Sequence, residues 1–384
     1  SIDLMITALI FTIIQNISEY LFPSQFGYSL NHYVDQLNLL PLVGIEGYSF
    51  ILTLMFLTIS FNILYKRKLY FNYFIIIMFM IVNIFYKDKN EYYNLNENLR
   101  IRIVQYPFHL LNKSNNNDSF LSFDLKEAFD NNSKNLDLVV FPESSYPIVY
   151  KNFYLNKKDM LMNELLKNDF YTLMAVYKKE QNDYYNTSML VQKKQIPQFY
   201  YKHQLFPLGE YNISLLNKII GKKENFVLKN KNTDSIFQIK NHKFISLLCF
   251  ENYTNDVLNS YDLKFKKESS FIVIQSNESW IASEKMRNYL INFTKILAKT
   301  YNLYIIKSDS KGPSFIVDNN GQIKELVSQN YKTIDVNIPR KINHIKLREL
   351  YLHYGVSLYI WLLFFFTLYK VIFLKIKKNN KLYI

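Results

Sequence analysis

Three short stretches carry side chains that can do covalent chemistry together. In "LDLVVFPESSYP" an apolar run ends in Pro142 and then Glu143. A carboxylate held against apolar walls at a strand's end has a raised pKa and can act as a general base. "QFYYKHQLFPLGEY" sets Lys202 behind three aromatic residues and ahead of another apolar patch, followed by Gly209 and Glu210. An ammonium in such a place can stabilise a developing oxyanion. "FISLLCFENY" holds Cys249, the only cysteine in 384 residues, with Glu251 two positions later. A thiol is a poor nucleophile until deprotonated, so it needs a base or a positive charge beside it. Singly, each is more often ordinary: a loop glutamate, a snorkelling lysine, a small core filler. In the order Glu143, Lys202, Cys249 they supply base, electrostatic stabiliser and nucleophile.

Competing chemistries lack their residues. The six histidines are scattered, and no Cys or His cluster has the spacing of zinc ligands. There is no phosphate-binding or dinucleotide glycine pattern and no G-x-S-x-G elbow. The expectation is therefore an enzyme with no metal and no cofactor. A net charge of +14 suggests an anionic partner, nucleic acid or a membrane surface. Lysines occur without organised aromatic platforms, and long apolar segments are present, so the membrane is favoured over nucleic acid. One cysteine excludes an internal disulfide framework.

The elements that must position these residues lie in the middle of the chain. Apolar, β-rich runs recur there: "RIRIVQY", "LDLVVFP", "YTLMAVY", "TSMLVQK", "FISLLCF", "SFIVIQS", "LYIIKSD" and "PSFIVDN". Helical patterns fall between some of them, at Phe120–Asn131 and Ser283–Thr300. Apolar strands alternating with helices predict a layered α/β domain. "KSNNNDS" and "KNKNTDS" read as exposed loops, and no internal repeat is visible.

Four flanking segments read as membrane spans: Leu4–Ile17 extending toward Phe22, Leu39–Leu64 with the small pair Gly44 and Gly47, Leu69–Tyr86, and Gly355–Leu374, whose distal end Lys370 interrupts. A span needs about 20 apolar residues. The basic clusters "YKRK" at Tyr65–Lys68 and "KIKKNNK" at Lys375–Lys381 belong in the cytoplasm by the positive-inside rule. Both then place the central domain on the opposite side. The expected organisation is membrane helices over 1–86, a catalytic domain over 87–350, and a C-terminal helix with a basic tail over 351–384. The opening stretch has neither a basic n-region nor a small-residue cleavage site, so it does not read as a signal peptide. A first residue Ser reads as a processed chain or a fragment.

With these residues in place, the sequence resembles the nitrilase superfamily and, through its membrane spans, the bacterial apolipoprotein N-acyltransferases. "VVFPESSYP" resembles the family's Trp/Phe-Pro-Glu-Ser motif, and "YYNTSML" its Tyr-Asn-Ser/Thr strand. "YYKHQLFPLGEY" is similar to Tyr-x-Lys-x-x-Leu-Val-Pro-Phe-Gly-Glu-Tyr, and "LLCFENY" to the Cys-Tyr-Glu nucleophile motif. "QSNESWI" resembles Ser-Asn-Asp-Ala-Trp, aligning Asn277 and Trp280, and "KSDSKGPSFIVDNNG" a Gly-Ile-Ser segment with an Asp/Asn-Gly turn. "SEYLFPSQFGYSL" and "LVGIEGYSFIL" are similar to the segments that precede the family's domain. There are departures. Phe250 stands where the family has Tyr, "IRIVQYP" lacks a Gly-Asn after the Gln, and "NYLINFTKILAKT" replaces the features expected after Trp280. The family's further membrane helices would lie before Ser1.

The resemblance implies a nitrilase-like α-β-β-α sandwich inserted between transmembrane helices, in the bacterial inner membrane, with the catalytic domain periplasmic. It implies a monomer that moves an acyl chain from a phospholipid, through a Cys249 thioester, to the N-terminal amine of a diacylglyceryl apolipoprotein. Glu143, Lys202 and Cys249 are then the catalytic triad. Glu210, Glu251, Phe250, Asn277 and Trp280 support it, with Glu210 and Glu251 orienting Lys202 or the acyl intermediate. Two other readings stay open: a membrane-anchored nitrilase-type amidase, and a degenerate, non-catalytic lipid- or lipoprotein-binding protein.

Overall fold

Strands covered on both faces need apolar side chains at every position, so they read as unbroken runs rather than alternations. The eight runs named above all fall on strands in the computed structural model. It describes residues 2–17, 25–66, 68–86, 92–93, 99–105, 135–143, 149–150, 169–193, 195–206, 210, 235–253, 257–258, 268–279, 281, 283–327, 331–336, 338, 340–341 and 351–380. By internal contacts the chain divides into two units: Ser1–Asn90 with Lys299–Tyr301 and His344–Ile384, and Glu91–Ala298 with Asn302–Asn343.

Among the described residues the second unit holds fifteen strands: β1 (Tyr92–Tyr93), β2 (Leu99–Val104), β3 (Leu138–Val140), β4 (Val149–Tyr150), β5 (Tyr171–Glu180), β6 (Asp183–Val191), β7 (Gln198–Tyr201), β8 (Ile236–Ile239), β9 (His242–Leu248), β10 (Ser269–Ser276), β11 (Tyr304–Asp309), β12 (Ser314–Val317), β13 (Ile323–Val327), β14 (Tyr331–Val336) and β15 (Arg340–Lys341). One sheet runs β14-β2-β3-β5-β6-β7 with β4 beside β5, and the other runs β13-β12-β11-β10-β9-β8. β1 and β15 form a separate antiparallel pair. In each large sheet three neighbouring strands are parallel, β2-β3-β5 in one and β9-β10-β11 in the other. Each trio is flanked on one side by a single antiparallel strand and on the other by an antiparallel meander. The two sheets thus repeat one pairing pattern that leaves no repeat in the sequence.

The sheets meet face to face, and polar side chains stitch them together. Ser246 Oγ donates to Ser188 Oγ at 2.8 Å, and Ser308 Oγ to the Val104 carbonyl at 2.7 Å. Gln275 Nε2 donates to the Phe141 carbonyl at 2.6 Å and to that of Leu173 at 3.3 Å. Every residue of β10 is buried. The crossover from β10 to its parallel neighbour β11 is the helix Glu284–Tyr301, which buries Leu290, Phe293, Leu297 and Ala298 at helical spacing. Ser283 caps it by accepting the Met286 N–H, and Asn302 ends it in the left-handed region. This is an α/β sandwich domain between terminal apolar helices. The predicted helix Phe120–Asn131, the loop "KSNNNDS" and most of "KNKNTDS" lie outside the described residues.

In chain order the helices are α1 (Ile2–Ile17), α2 (Leu40–Tyr65), α3 (Tyr70–Phe85), α4 (the Glu284–Tyr301 crossover) and α5 (Ser357–Asn380). α1, α2, α3 and α5 belong to the first unit. Of the four spans read from sequence, two are long and apolar enough to cross a membrane, Leu40–Tyr65 and Ser357–Ile376. α1 and α3 have 16 residues each, short of the about 20 that a bilayer core needs. Lys370 does not interrupt the last helix, which runs on to Asn380. Its ammonium instead pairs with Asp3 in the first turn of α1. α2 contains a break at Gly44, where φ is 60° and ψ −171°. A Cβ there would lie 2.0 Å from the Tyr351 hydroxyl, so the position admits only glycine. Two residues on, buried Glu46 accepts from Tyr351 Oη at 2.8 Å, from Asn16 Nδ2 at 3.4 Å and from Gln25 Nε2 at 3.5 Å. Outward from the small core of Met5, Ala8, Leu54 and Ile76, large apolar side chains such as Phe56, Phe74 and Phe365 stand exposed. So large an apolar surface marks a face that meets something other than water.

Gln275→Leu keeps the side chain's bulk but removes the donor that the Phe141 carbonyl accepts across the sandwich. It should cost about 1–3 kcal/mol of stability. A denaturant midpoint unchanged from wild type would show that this contact does not stitch the sheets.

Candidate active site

The strands end so that their carboxyl-terminal loops converge. Glu143 follows β3, Lys202 follows β7 and Cys249 follows β9, and β3 and β9 are members of the parallel trios. The carboxyl ends of parallel strands are where open α/β sheets gather their sites, because the chain must leave the sheet there. Lys202 Nζ lies 3.2 Å from Glu143 Oε1 and 2.9 and 2.8 Å from the two Glu210 oxygens. The Glu143 carboxyl and the Cys249 thiol act on each other, and the Asn277 backbone favours the charged form of the thiol. Glu143 and Lys202 are buried, while Cys249 is half-buried. The structure therefore brings Glu143, Lys202, Cys249 and Glu210 together, with the Asn277 backbone acting on the thiol.

The supporting residues separate into distinct roles. Glu210 acts on Lys202 directly, and its Oε2 also accepts the Phe206 N–H at 2.7 Å. Glu251 instead ties backbone to backbone. It accepts from the N–H groups of His203 (2.7 Å), Gln204 (3.1 Å) and Leu248 (2.8 Å), and from Tyr200 Oη (2.8 Å). It thus joins the Lys202 loop to the end of β9. Phe250 is buried edge-on against Phe206, with ring centroids 5.4 Å apart, in an apolar setting where a hydroxyl would need its own partner. Asn277 Oδ1 accepts from Ser310 Oγ at 2.7 Å and from the Ser279 N–H at 3.1 Å, which sets its own loop. Trp280 lies outside the described residues. Asn186 was not among the residues singled out by sequence, though it sits in the "YYNTSML" motif. Its amide donates to Glu143 at 2.8 Å and to Glu210 at 2.7 Å, holding the two carboxylates side by side. The available signal was an asparagine, a poor strand former with two donors, inside a strand run. No group of three or more His, Cys, Asp or Glu among the described residues is arranged to hold a metal ion.

Charge decides what this arrangement can do. Burial raises the Glu143 carboxyl, and Lys202 works against that rise. Burial also holds the Cys249 thiol well above 9, reinforced by Glu143 and opposed by Lys202. Burial alone would lower Lys202, but Glu143, Glu210, Cys249 and Glu251 together hold it well above 10.5. Burial pushes Glu251 up to about 7, against Lys202 and its own donors. The resting thiol is thus protonated and the lysine charged. Moving the thiol proton to Glu143 would leave the net charge of the site unchanged, so this pair can exchange a proton without the cost of a new buried ion. Cys249 itself has φ 48°, the left-handed region that a non-glycine residue adopts only when its surroundings hold it there.

The carbon-nitrogen hydrolase family matches residues 100–342, more than half of the chain, and the chain belongs to that family. It is thereby an enzyme of acyl and amide chemistry in the broad sense. Among curated proteins it is similar to the apolipoprotein N-acyltransferase of Helicobacter pylori (strain ATCC 700392 / 26695), with 25% identity over 199 residues. That match covers 50% of this chain and 44% of the relative, so the chain spans under half of the relative's length. Among solved structures it is similar to a carbon-nitrogen hydrolase from Helicobacter pylori G27, at 13% identity, TM-score 0.44, 62% of this chain and 89% of that one. It is also similar to the glutamine-dependent NAD+ synthetase of Acinetobacter baumannii, at 15% identity, TM-score 0.48, 67% of this chain and 50% of that one.

A base works only when deprotonated. With Glu143 raised by burial, alkylation of Cys249 by a neutral haloacetamide should rise with pH along a limb centred above the ordinary carboxylate value near 4.5. Lys202 favours the charged forms of both Glu143 and Cys249, so Lys202→Met should move that limb to still higher pH. A limb that stays in place or moves down would contradict this charge balance.

Proposed function

We propose that this enzyme is a membrane-bound acyltransferase of lipoprotein maturation. In this reading it transfers an acyl chain from a phospholipid to the N-terminal α-amine of diacylglyceryl-cysteine in an apolipoprotein. The observation that carries the reading is a half-buried Cys249 at the end of β9, grouped with Glu143 and its ion-pair partner Lys202, in a chain whose flanking helices include two of spanning length. The name of the Helicobacter pylori relative supports the substrate class.

In the first half-reaction Glu143 takes the Cys249 proton as Sγ attacks the ester carbonyl carbon. The C–S bond forms and the carbonyl oxygen gains the charge, which Lys202 and the backbone N–H after Cys249 stabilise. Collapse breaks the C–O bond, and Glu143 returns the proton to the departing lysophospholipid. A thioester remains on Cys249. The acceptor amine then attacks the thioester carbon and gives its proton to Glu143. As the C–N bond forms and the C–S bond breaks, that proton returns to the sulfur. Glu210 and Asn186 keep Lys202 and Glu143 in register throughout. Such covalent catalysis has ping-pong kinetics.

Both substrates live in a bilayer, which is why the domain would be held at its surface. With "YKRK" and "KIKKNNK" cytoplasmic, α1 leaves the cytoplasm, α2 returns, α3 leaves and α5 returns. The Asp3–Lys370 pair supports this order, since it brings the start of α1 beside the distal half of α5. The sandwich domain then faces the periplasm of a bacterial inner membrane. We read the protein as a monomer.

Intact-mass analysis after incubation with phospholipid vesicles should find one acyl adduct on Cys249, discharged by a diacylglyceryl-cysteine peptide that becomes N-acylated. Cys249→Ala should abolish both. N-acylation by that variant would sink the proposal. An adduct formed only from a small amide would favour an amidase instead.

A further inference from the structure

The 3₁₀ turn Cys249–Tyr253 begins at the strained nucleophile, and the residues that follow Phe250 are each tied to a different element. Glu251 is held by the Lys202 loop, as described above. Asn252 Nδ2 donates to Thr294 Oγ1 of α4 at 2.9 Å. Tyr253 ends the turn, and its hydroxyl donates to Glu278 Oε1. Glu278 lies two residues past β10 and is fully buried. The same oxygen receives the ammonium of Lys307, also fully buried, from β11. Asp309, at the end of β11, completes the group. Its Oδ1 accepts the N–H of Gly312 at 2.5 Å, of Lys311 at 2.9 Å and of Glu278 at 3.3 Å, and its Oδ2 accepts from Ser276 Oγ. Lys307 lies 3.9 Å from that second oxygen and 5.8 Å from the centre of the Phe315 ring. Gly312 is needed here, because a Cβ would come within 2.4 Å of Glu278 Oε2.

None of these groups belongs to the Glu143–Lys202–Cys249 set, and the chemistry above does not use them. Burying a lysine and two acids costs several kcal/mol per ion before pairing. Bonds from Tyr253 and Lys307 to one Glu278 oxygen restrict how these side chains can be arranged. The location of this network gives that restriction a use, because it touches the nucleophile from two sides. Tyr253 is on the Cys249 turn, and Glu278 directly follows Asn277, whose backbone favours the charged form of the Cys249 thiol. We infer that Tyr253, Glu278 and Lys307 are positioning residues for Cys249: a buried hydroxyl–carboxylate–ammonium chain that fixes both the strained turn and the Asn277 backbone. The inference rests on Cys249 being the nucleophile.

The test measures, on the full-length protein, the single-turnover rate of Cys249 acylation from vesicles of phosphatidylethanolamine and phosphatidylglycerol. It also measures kcat, KM and the rate of alkylation by iodoacetamide. Tyr253→Phe removes only the hydroxyl, and Glu278→Gln only the charge. Each should lower acylation, kcat and alkylation about tenfold with KM unchanged, as expected when a nucleophile loses its alignment. The double variant should be no slower than the slower single one, because both break the same chain. Should Tyr253→Phe fail to fold, Glu278→Met with Lys307→Met replaces the ion pair by apolar bulk, a change that buried pairs often tolerate. That variant should show the same tenfold loss. Variants that melt earlier yet acylate within about twofold of wild type would overturn the inference, as would losses that simply add in the double variant. A wild-type protein that forms no acyl adduct on Cys249 would bring down the nucleophile reading and this inference together.

Discussion

One buried ammonium holds the site together. Lys202 pairs with Glu143 and Glu210 and is held charged by Glu251 and Cys249 as well, so a single positive charge answers to three carboxyl groups and a thiol. Carboxylates this close repel one another, and removal of one member of a buried pair leaves an uncompensated ion that costs about 3–5 kcal/mol. Lys202 therefore fixes where Glu143 and Glu210 can stand. Asn186 donates from its neutral amide to Glu143 Oε1 and Glu210 Oε1, the oxygens that also face Lys202, which adds bonds to both carboxylates without adding charge. Burial, with Glu143 beside it, keeps the thiol protonated at rest against the pull of Lys202.

That arrangement demands a frame that does not yield, because its members come from loops far apart in the chain. The sandwich supplies it through face-to-face sheets whose interior contains hydroxyls and an amide as well as apolar side chains. Each such bond is modest in net energy, but a buried partner left unpaired is costly, so the register of one sheet over the other is strongly specified. Glu251 extends the same logic into the loops. By accepting backbone N–H groups from both the Lys202 loop and the end of β9, it makes the position of the ammonium and that of the thiol a single variable.

In the helical unit Phe, Ile and Leu side chains stand exposed, while polar side chains such as Glu46 and Asn72 turn inward and bond to partners within the unit. Asn72 of α3 donates to Thr58 of α2 at 3.1 Å, and Tyr48 of α2 donates to Asn83 of α3 at 2.5 Å, so the pair is joined toward both ends. Gly44 breaks α2 where Tyr351 comes close, and Glu46 then meets the tyrosine hydroxyl.

Read alone, the residues were enough for whatever depends on neighbours in the chain. β-rich runs with apolar cores marked eight strands, and a helical pattern over Ser283–Thr300 marked α4. The type and order of Glu143, Lys202 and Cys249 pointed to three side chains that the strand ends bring together. Short, mixed or edge strands such as β7, β8, β13 and β14 left no such pattern, since "IKELV" and "QFYY" carry neither a clear period nor an apolar run. Only the tertiary structure decided that Asn186 bridges two carboxylates, that Glu210 serves the lysine while Glu251 serves the backbone, and that Tyr253 meets Glu278 and Lys307. The reason is physical. A local period records which face a side chain takes, but a hydrogen bond between residues 25 or 43 positions apart exists only once the strands between them have been laid in register.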